Sequence, residues 1–223
     1  MELTRITLFT IAAAAGATAL MAGPGLALAW LLARGRFRGR LMVETVVSMP
    51  LVMPPVATGL ILLLLCAPRG PFGRLLQSAG IDIVFTWKAV VLAMAVMALP
   101  LFVRTVRAGI EQVDPRYEAA AATLGAAPLR VFLTITLPLA LPSVLAGTML
   151  AFARAIGEFG ATIVIAGSIP GATRTLAVAI YSFTETGRDH DAAVLIGVSA
   201  AIAFAALWIS NRLIGRTAPG ARS

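Results

Sequence analysis

Long apolar runs, separated by short and often basic connections, make up most of this chain. A helix needs about 20 apolar residues to cross a hydrocarbon core of about 30 Å. Five runs reach or approach that length, and we interpret each as one membrane span. They are residues 7–32, 41–66, 87–102, 131–153 and 192–214. The pattern predicts an all-α, polytopic transmembrane helical bundle that forms a single domain over residues 1–223.

Two of the apolar regions contain residues that break helices. The second run holds Pro50, Pro54 and Pro55, which predict a kink because they free backbone carbonyls, and a gating role for them is the open alternative. The apolar stretch 154–182 is interrupted by a glutamate, several glycines and a proline. We interpret it as a broken or partly re-entrant segment, and a sixth span is the alternative.

Basic residues fall unevenly on the connections. Because five spans alternate, the connection after the first span, the connection after the third and the C-terminal tail share one side. These three carry Arg34, Arg36, Arg38 and Arg40; Arg104, Arg107, Arg116 and Arg130; and Arg212, Arg216 and Arg222. Lys and Arg in short loops prefer the cytoplasm. We therefore predict that the N-terminus lies outside and the C-terminus in the cytoplasm.

Composition supports a membrane protein and narrows its chemistry. Of 223 residues, 59% are hydrophobic and 13% are charged, and the mean hydropathy is +0.93. The net charge is +8, but the arginines that produce it lie at the ends of the spans, as orientation signals do. The charge therefore does not indicate a nucleic-acid partner. Cys66 and His190 are each alone, so one chain holds no Cys/His metal cluster. The one lysine, Lys88, is in no phosphate-cradling G-x-x-x-x-G-K-[ST] loop, so the chain lacks this ATPase motif. We predict no catalytic residue, no metal site and no enzyme activity for this chain.

A short helix is predicted between the third and fourth spans. Asp114 suits the N-cap and Pro115 the first helical position. Alanine is frequent over 116–124, and Gly125 followed by Pro128 is a stop signal. A helix of about two to three turns is marginal alone in water. It therefore needs a partner surface, and its small alanine side chains would let another protein approach closely.

This stretch resembles the cytoplasmic loop of the permease subunits of ABC importers. That loop reads E-A-A, three residues, G, nine residues and I-x-L-P. From Gly125, nine residues lead to a matching I-T-L-P that begins at Ile135. Glu118 stands seven residues before Gly125 instead of six, which leaves Ala119 at the family's glutamate position. One residue on a helix is a rotation of about 100°, so the shift changes what the carboxylate faces.

The resemblance implies a coupling loop over about residues 104–130, whose helix docks in a groove of the ATP-hydrolysing subunit. A short amphipathic connector is the alternative. The residues nominated for ATPase coupling are Arg116, Tyr117, Glu118, Ala119, Ala120, Thr123, Leu124 and Gly125.

A second block resembles the molybdate permeases within that family. Residues 151–181 read AFARAIGEFGATIVIAGSIPGATRTLAVAIY, against a family block F-A-R-x-x-G-E-F-G-A-T followed by I-P-G-x-T-x-T. PLVMPPVATG at 50–59 and GPFG at 70–73 extend the likeness. The resemblance implies a type I ABC importer permease in the bacterial inner membrane that moves molybdate and also tungstate by alternating access. A sulfate or thiosulfate importer is the alternative, although those permeases tend to be longer and to diverge after G-E.

The same resemblance implies partners. They are a second copy of the chain, two ATPase subunits that bind ATP and Mg²⁺, a periplasmic or extracellular molybdate-binding protein, and membrane lipid. No cofactor is implied in this chain.

The residues of the second block also indicate a pathway or gate by their chemistry. Arg154 and Glu158 are four apart, a spacing that lets them pair on one helical face. Ionisable groups at membrane depth mark a pathway, a gate or an inter-helix contact. An oxyanion could be carried past backbone N–H donors and the hydroxyls of Thr162, Ser168 and Thr173. A purely structural pair near an interface is the alternative.

Two other classes remain open from the sequence. An ion-coupled secondary transporter would need its own coupling residues, and Glu158 and Arg154 are the main intramembrane choices. A membrane-embedded enzyme or assembly factor would need a catalytic cluster, which the sequence does not offer.

Overall fold

Helices form most of the part of the chain that the structure, a computed structural model, describes. It describes the backbone of residues 1–215 and the side chains of residues 1–212; Arg216 and Arg222, used above for orientation, lie outside this range. No strand occurs in residues 1–215. The α-helices are α1 (Glu2–Arg34), α2 (Arg40–Val52), α3 (Pro55–Cys66), α4 (Pro71–Ser78), α5 (Trp87–Glu111), α6 (Pro115–Thr123), α7 (Pro128–Val131), α8 (Leu137–Ile156), α9 (Gly160–Ala166), α10 (Leu176–Glu185) and α11 (Asp189–Gly215), with a π-helical segment at Phe132–Thr136 between α7 and α8.

The centre of the bundle is the parallel pair α1 and α5. Gly16 of α1 lies against Val91, and Gly25, nearer the C-terminal end of α1, lies against Phe102. A Cβ added at Gly25 would be 2.6 Å from Phe102 Cδ1, so glycine is required for this approach. Small residues let membrane helices pack closely, because dispersion contacts take the place of the hydrophobic effect there.

Helix α8 runs antiparallel to α5 and also contacts α1. A Cβ added at Gly147 of α8 would lie 3.3 Å from both Thr105 and Val106 of α5. Helix α11 packs on α8, where the buried Ser210 donates a hydrogen bond of 3.3 Å to the carbonyl of Ala146. The core therefore lies mainly along α1, α5 and α8, and α9, α10 and the N-terminal part of α11, with the buried Leu195, complete it.

Four of the five predicted spans are confirmed, with a correction to the end of the third. In the part of the chain that the structure describes, four helical stretches are long and apolar enough to cross a membrane: Glu2–Arg34, Trp87–Glu111, Pro128–Ile156 and Asp189–Arg212. The third was predicted to end at residue 102, but α5 continues to Glu111. Arg107 can remain in the helix because Glu111 pairs with it at 2.8 Å, one turn further on.

The second predicted span is a bent pair of helices. Helices α2 and α3 differ in direction by 113° across a break at Met53 and Pro54, where the prolines predicted a kink. The pair starts beside the C-terminal end of α5, where Glu44 Oε1 lies 2.7 Å from Arg107 Nη1. It ends at Cys66, which shares a cavity wall with residues 81–86, just before α5 begins. The pair thus connects the two ends of α5, as one bent span would.

The stretch 154–182 is broken, as predicted. Helix α8 ends at Ile156, α9 has 7 residues, and α10, which has 10, begins after a turn. Neither helix is long enough to cross the membrane alone, because about 20 residues are needed. The sixth-span alternative is therefore not what the structure shows.

Candidate coupling segment and intramembrane charge pair

The short helix predicted between the third and fourth spans is α6. Asp114 Oδ1 accepts a hydrogen bond of 2.9 Å from the backbone N–H of Arg116, and Pro115 opens the helix. Gly125, just past the end, has φ of +81°, a left-handed conformation that an L side chain rarely adopts. The start and stop signals thus act as the sequence predicts.

The surface of α6 is exposed along almost its whole length. None of its residues is buried. Tyr117 is 59% exposed, Leu124 is 89% exposed, and Leu129 of α7 is 63% exposed. Of the other residues nominated for coupling, those that are exposed are Arg116, Ala119, Ala120, Thr123 and Gly125. Exposed large apolar side chains beside a small-residue helix are typical of a protein–protein contact.

Glu118 is the nominated residue that faces inward. Its side chain is 20% exposed, and its carboxylate lies 3.0 Å from Nε of Arg34, in the last turn of α1. Thr136 Oγ1, in the π-helical segment, donates to Glu118 Oε1 at 2.7 Å. Ala119, at the family's glutamate position, is exposed. The one-residue shift therefore turns the carboxylate towards this chain's own helices.

Sequence reasoning missed the two partners of Glu118. Arg34 had been interpreted only as an orientation signal, and Thr136 had no assigned role. They are 84 and 18 residues from Glu118, so no local spacing could have linked the three.

Arg154 and Glu158 form the predicted pair at the break between α8 and α9. Arg154 Nη1 lies 2.8 Å from Glu158 Oε2, with side-chain exposures of 29% and 1%. The pair is not on one continuous helical face, because α8 already ends at Ile156. Glu158 Oε1 also accepts a 2.8 Å hydrogen bond from the N–H of Ala161, so it caps the first turn of α9 from the position before the N-cap residue, Phe159. A carboxylate is favoured there by the orphan N–H groups and the helix dipole.

The three pathway hydroxyls make hydrogen bonds within the chain. Thr162, 1% exposed, donates to two backbone carbonyls at the break. Thr173 Oγ1 is fully buried and accepts from the N–H of Ile169 at 3.1 Å. Ser168 Oγ accepts from Arg174 Nε at 3.1 Å. Their role in oxyanion passage stays a prediction, since these contacts are those of a well-packed turn.

The break in the α2–α3 pair adjoins the break between α8 and α9. A Cβ added at Gly160 would lie 2.7 Å from Pro55 Cβ, and one at Gly59 would lie 2.8 Å from the Cα of Ala161. Sequence reasoning missed Thr58 at this contact. It is 6% exposed, and its hydroxyl makes no hydrogen bond to any described residue. Pro50 lies inside α2, before the break, and Pro54 is the N-cap of α3.

Comparison with known proteins defines the class. Residues 25–216 match the family described as "Binding-protein-dependent transport system inner membrane component". The chain belongs to this family and is an inner-membrane permease component. It is also similar in fold to a chain of a bacterial alginate ABC transporter solved in complex with an alginate pentasaccharide-bound periplasmic protein. That match has a TM-score of 0.73 at 17% identity, and it covers 98% of this chain and 80% of the other. The fold is thus that of ABC importer permeases.

Relatives of known name are more similar in sequence. The molybdenum transport system permease protein ModB of Escherichia coli (strain K12) is 49% identical over 191 residues, which cover 85% of this chain and 83% of that protein. The sulfate transport system permease protein CysT of Salmonella typhimurium is 36% identical over 200 residues, which cover 88% of this chain and 72% of that protein.

Proposed function

We propose that this chain is the membrane-spanning subunit of an ATP-driven importer that brings molybdate, and also tungstate, into the cytoplasm. The observation that carries this proposal is the difference in similarity between the two kinds of relative: 49% identity to a molybdenum permease against 36% to a sulfate permease. Molybdate and tungstate are grouped because they match in charge and shape. Sulfate is the competing cargo.

The complete transporter would contain two copies of this chain, two ATPase subunits and a substrate-binding protein. The exposed face of α6, with Tyr117 and Leu124, supports an ATPase docking surface. The alginate transporter supports the kind of outer partner, since its structure includes a periplasmic protein. ATP and Mg²⁺ would be bound by the ATPase subunits, and this chain would contribute no bond-making chemistry.

The mechanism would be alternating access between two arrangements of the bundle. Closure of the ATPase subunits on ATP would displace α6, and the permease pair would open outward to receive the anion. Hydrolysis would return the pair to the inward-facing arrangement. The adjoining breaks at Pro54 and Glu158 are suited to bending, because the helical ladder is already interrupted there. Arg154, the partly exposed cation at this level, is the residue we assign to the passing oxyanion.

The test is uptake into vesicles that contain the complete transporter. This chain would be purified with its ATPase subunit and reconstituted, the binding protein added outside and ATP enclosed. We expect molybdate uptake that requires ATP and that excess tungstate suppresses more strongly than excess sulfate. Vesicles with a non-hydrolysable nucleotide are the control. Stronger suppression by sulfate would favour the sulfate importer, and uptake that follows an ion gradient without nucleotide would favour a secondary transporter.

A further inference from the structure

Helix α6 has few means of holding its place on the bundle. It has 9 residues, and none of them is buried. An isolated helix of this length is marginal in water. A force applied to its exposed face would therefore be lost in local movement unless side chains fix the helix to the membrane helices.

Glu118 provides such a connection to two membrane helices at once. Arg34 Nε lies 3.0 Å from one carboxylate oxygen and donates to the other at 3.1 Å. Thr136 donates to the carboxylate at 2.7 Å. Arg34 also donates from Nη2 to the carbonyl of Val113, just before α6, at 2.8 Å. Hydrogen bonds to charged groups are the stronger ones, and this cluster is shielded, since Arg34 and Glu118 are only 22% and 20% exposed.

The two helices reached by Glu118 lead to different parts of the bundle. Arg34 ends α1, which packs along α5. Thr136 ends the π-helical segment from which α8 continues to the break at Glu158. The ring of Trp30 in α1 lies 5.0 Å from that of Phe132, at the start of the same segment, so α1 and the π-helical segment are also in direct contact. Single π-helical turns within α-helices occur frequently at functional sites.

We propose that Arg34, Glu118 and Thr136 are positioning residues that transmit movement of α6 to α1 and α8. They form an internal clamp, and Glu118 is not itself the contact with the ATPase. This inference rests on the proposed function, because it needs an ATPase that moves α6. Ala119, one position on, is exposed, as are Tyr117 and Leu124, and these side chains would contact the ATPase.

The experiment uses the complete reconstituted transporter and a charge exchange. Arg34→Glu and Glu118→Arg each place like charges together, and the double variant restores an opposite pair. Arg38→Glu is the matched control, because Arg38 is an exposed arginine in the connection that follows α1. Thr136→Val removes only the hydroxyl donor, and Thr134→Val is its control in the same segment, where the exposed Thr134 bonds to the carbonyl of Arg130. Two ratios are measured: molybdate imported per ATP hydrolysed, and ATP hydrolysis with and without the binding protein.

We expect each single charge reversal to lower imported molybdate per ATP by about tenfold, a coupling loss of ordinary allosteric size. The double variant should recover a large part of it, and Thr136→Val should lower the ratio by about threefold. Both controls should behave like the wild type. If the three residues had only a structural role, the variants would lower the yield of complex without changing import per ATP, and that result would overturn the clamp. Single variants with wild-type ratios would overturn it as well, and so would a double variant that shows no recovery.

The second ratio separates failure of the clamp from failure of the proposed function. If the wild-type complex hydrolyses ATP in response to the binding protein but imports no molybdate, the cargo assignment is wrong. The clamp is then judged by that response alone, which does not depend on the cargo. Loss of the response in the single variants and its return in the double variant would support the clamp, and an unchanged response would overturn it.

Discussion

Glu158 provides the sharpest test of how the break between α8 and α9 is stabilised. Its carboxylate is 1% exposed and makes two contacts, one to Arg154 and one to the N–H of Ala161, each at 2.8 Å. Glu158→Gln keeps a carbonyl acceptor for Ala161 but removes the charge that neutralises Arg154. Glu158→Ala removes both contacts. The two variants therefore separate the ion pair from the helix cap.

The expected costs follow from the burial of each partner. Leaving a buried charge unpaired costs about 3–5 kcal/mol, but the Arg154 side chain is 29% exposed and can be partly solvated, so we expect about 1–2 kcal/mol for Glu158→Gln. Loss of an N-cap acceptor costs about 1 kcal/mol. Glu158→Ala should therefore cost about 2–3 kcal/mol, roughly 1 kcal/mol more than the glutamine variant.

The assay is reversible unfolding of the purified chain in mixed micelles with increasing denaturing detergent, followed by loss of helical signal. Glu185→Gln is the matched control, because Glu185 is an exposed carboxylate at the end of α10 and should change stability by less than about 0.5 kcal/mol. Equal costs for the glutamine and alanine variants would refute a contribution from the cap. A cost for Glu158→Ala no larger than that of the control would refute the whole account of the break.

Three further variants test the close helix contact, the coupling segment and the pathway. Gly59→Ala should destabilise the folded chain by about 1–3 kcal/mol, because the new Cβ would lie 2.8 Å from the backbone of Ala161. Gly23→Ala is the control, since Gly23 has open space around it, and equal stabilities of the two variants would contradict the packing argument. Gly125→Asp, at φ +81°, should abolish ATP-dependent molybdate uptake or assembly with the ATPase, and normal uptake would remove the coupling assignment. Thr162→Val should lower molybdate uptake, because the hydroxyl is assigned to the oxyanion pathway. An unchanged uptake rate would refute that assignment, and the hydroxyl would then serve only its backbone hydrogen bonds.

Local signals in the sequence were sufficient for most of the membrane spans and for the short helix α6. The length of an apolar run, the position of a proline and the identity of a capping residue can each be recognised within a short stretch of sequence. Each signal concerns the backbone of that stretch and needs no distant partner. Asp114 and Gly125 thus marked the ends of α6, and Pro54 marked the break in the second span. Arg154 and Glu158 were found as a pair for the same reason, since they are four residues apart.

What only the tertiary structure decided is which distant groups these elements bring together. The sequence could not indicate that Glu118 meets Arg34, because the direction of one side chain on a short exposed helix depends on how α1 and α8 pack beneath it. It also could not place Pro55 against Gly160, which brings two helix breaks together in the bundle. Helix formation is governed by contacts within one or two turns, so the same local rules apply to every helix along the chain. Side-chain partners between helices depend on packing of the whole bundle, in which a rotation of about 100° per residue decides what each group faces.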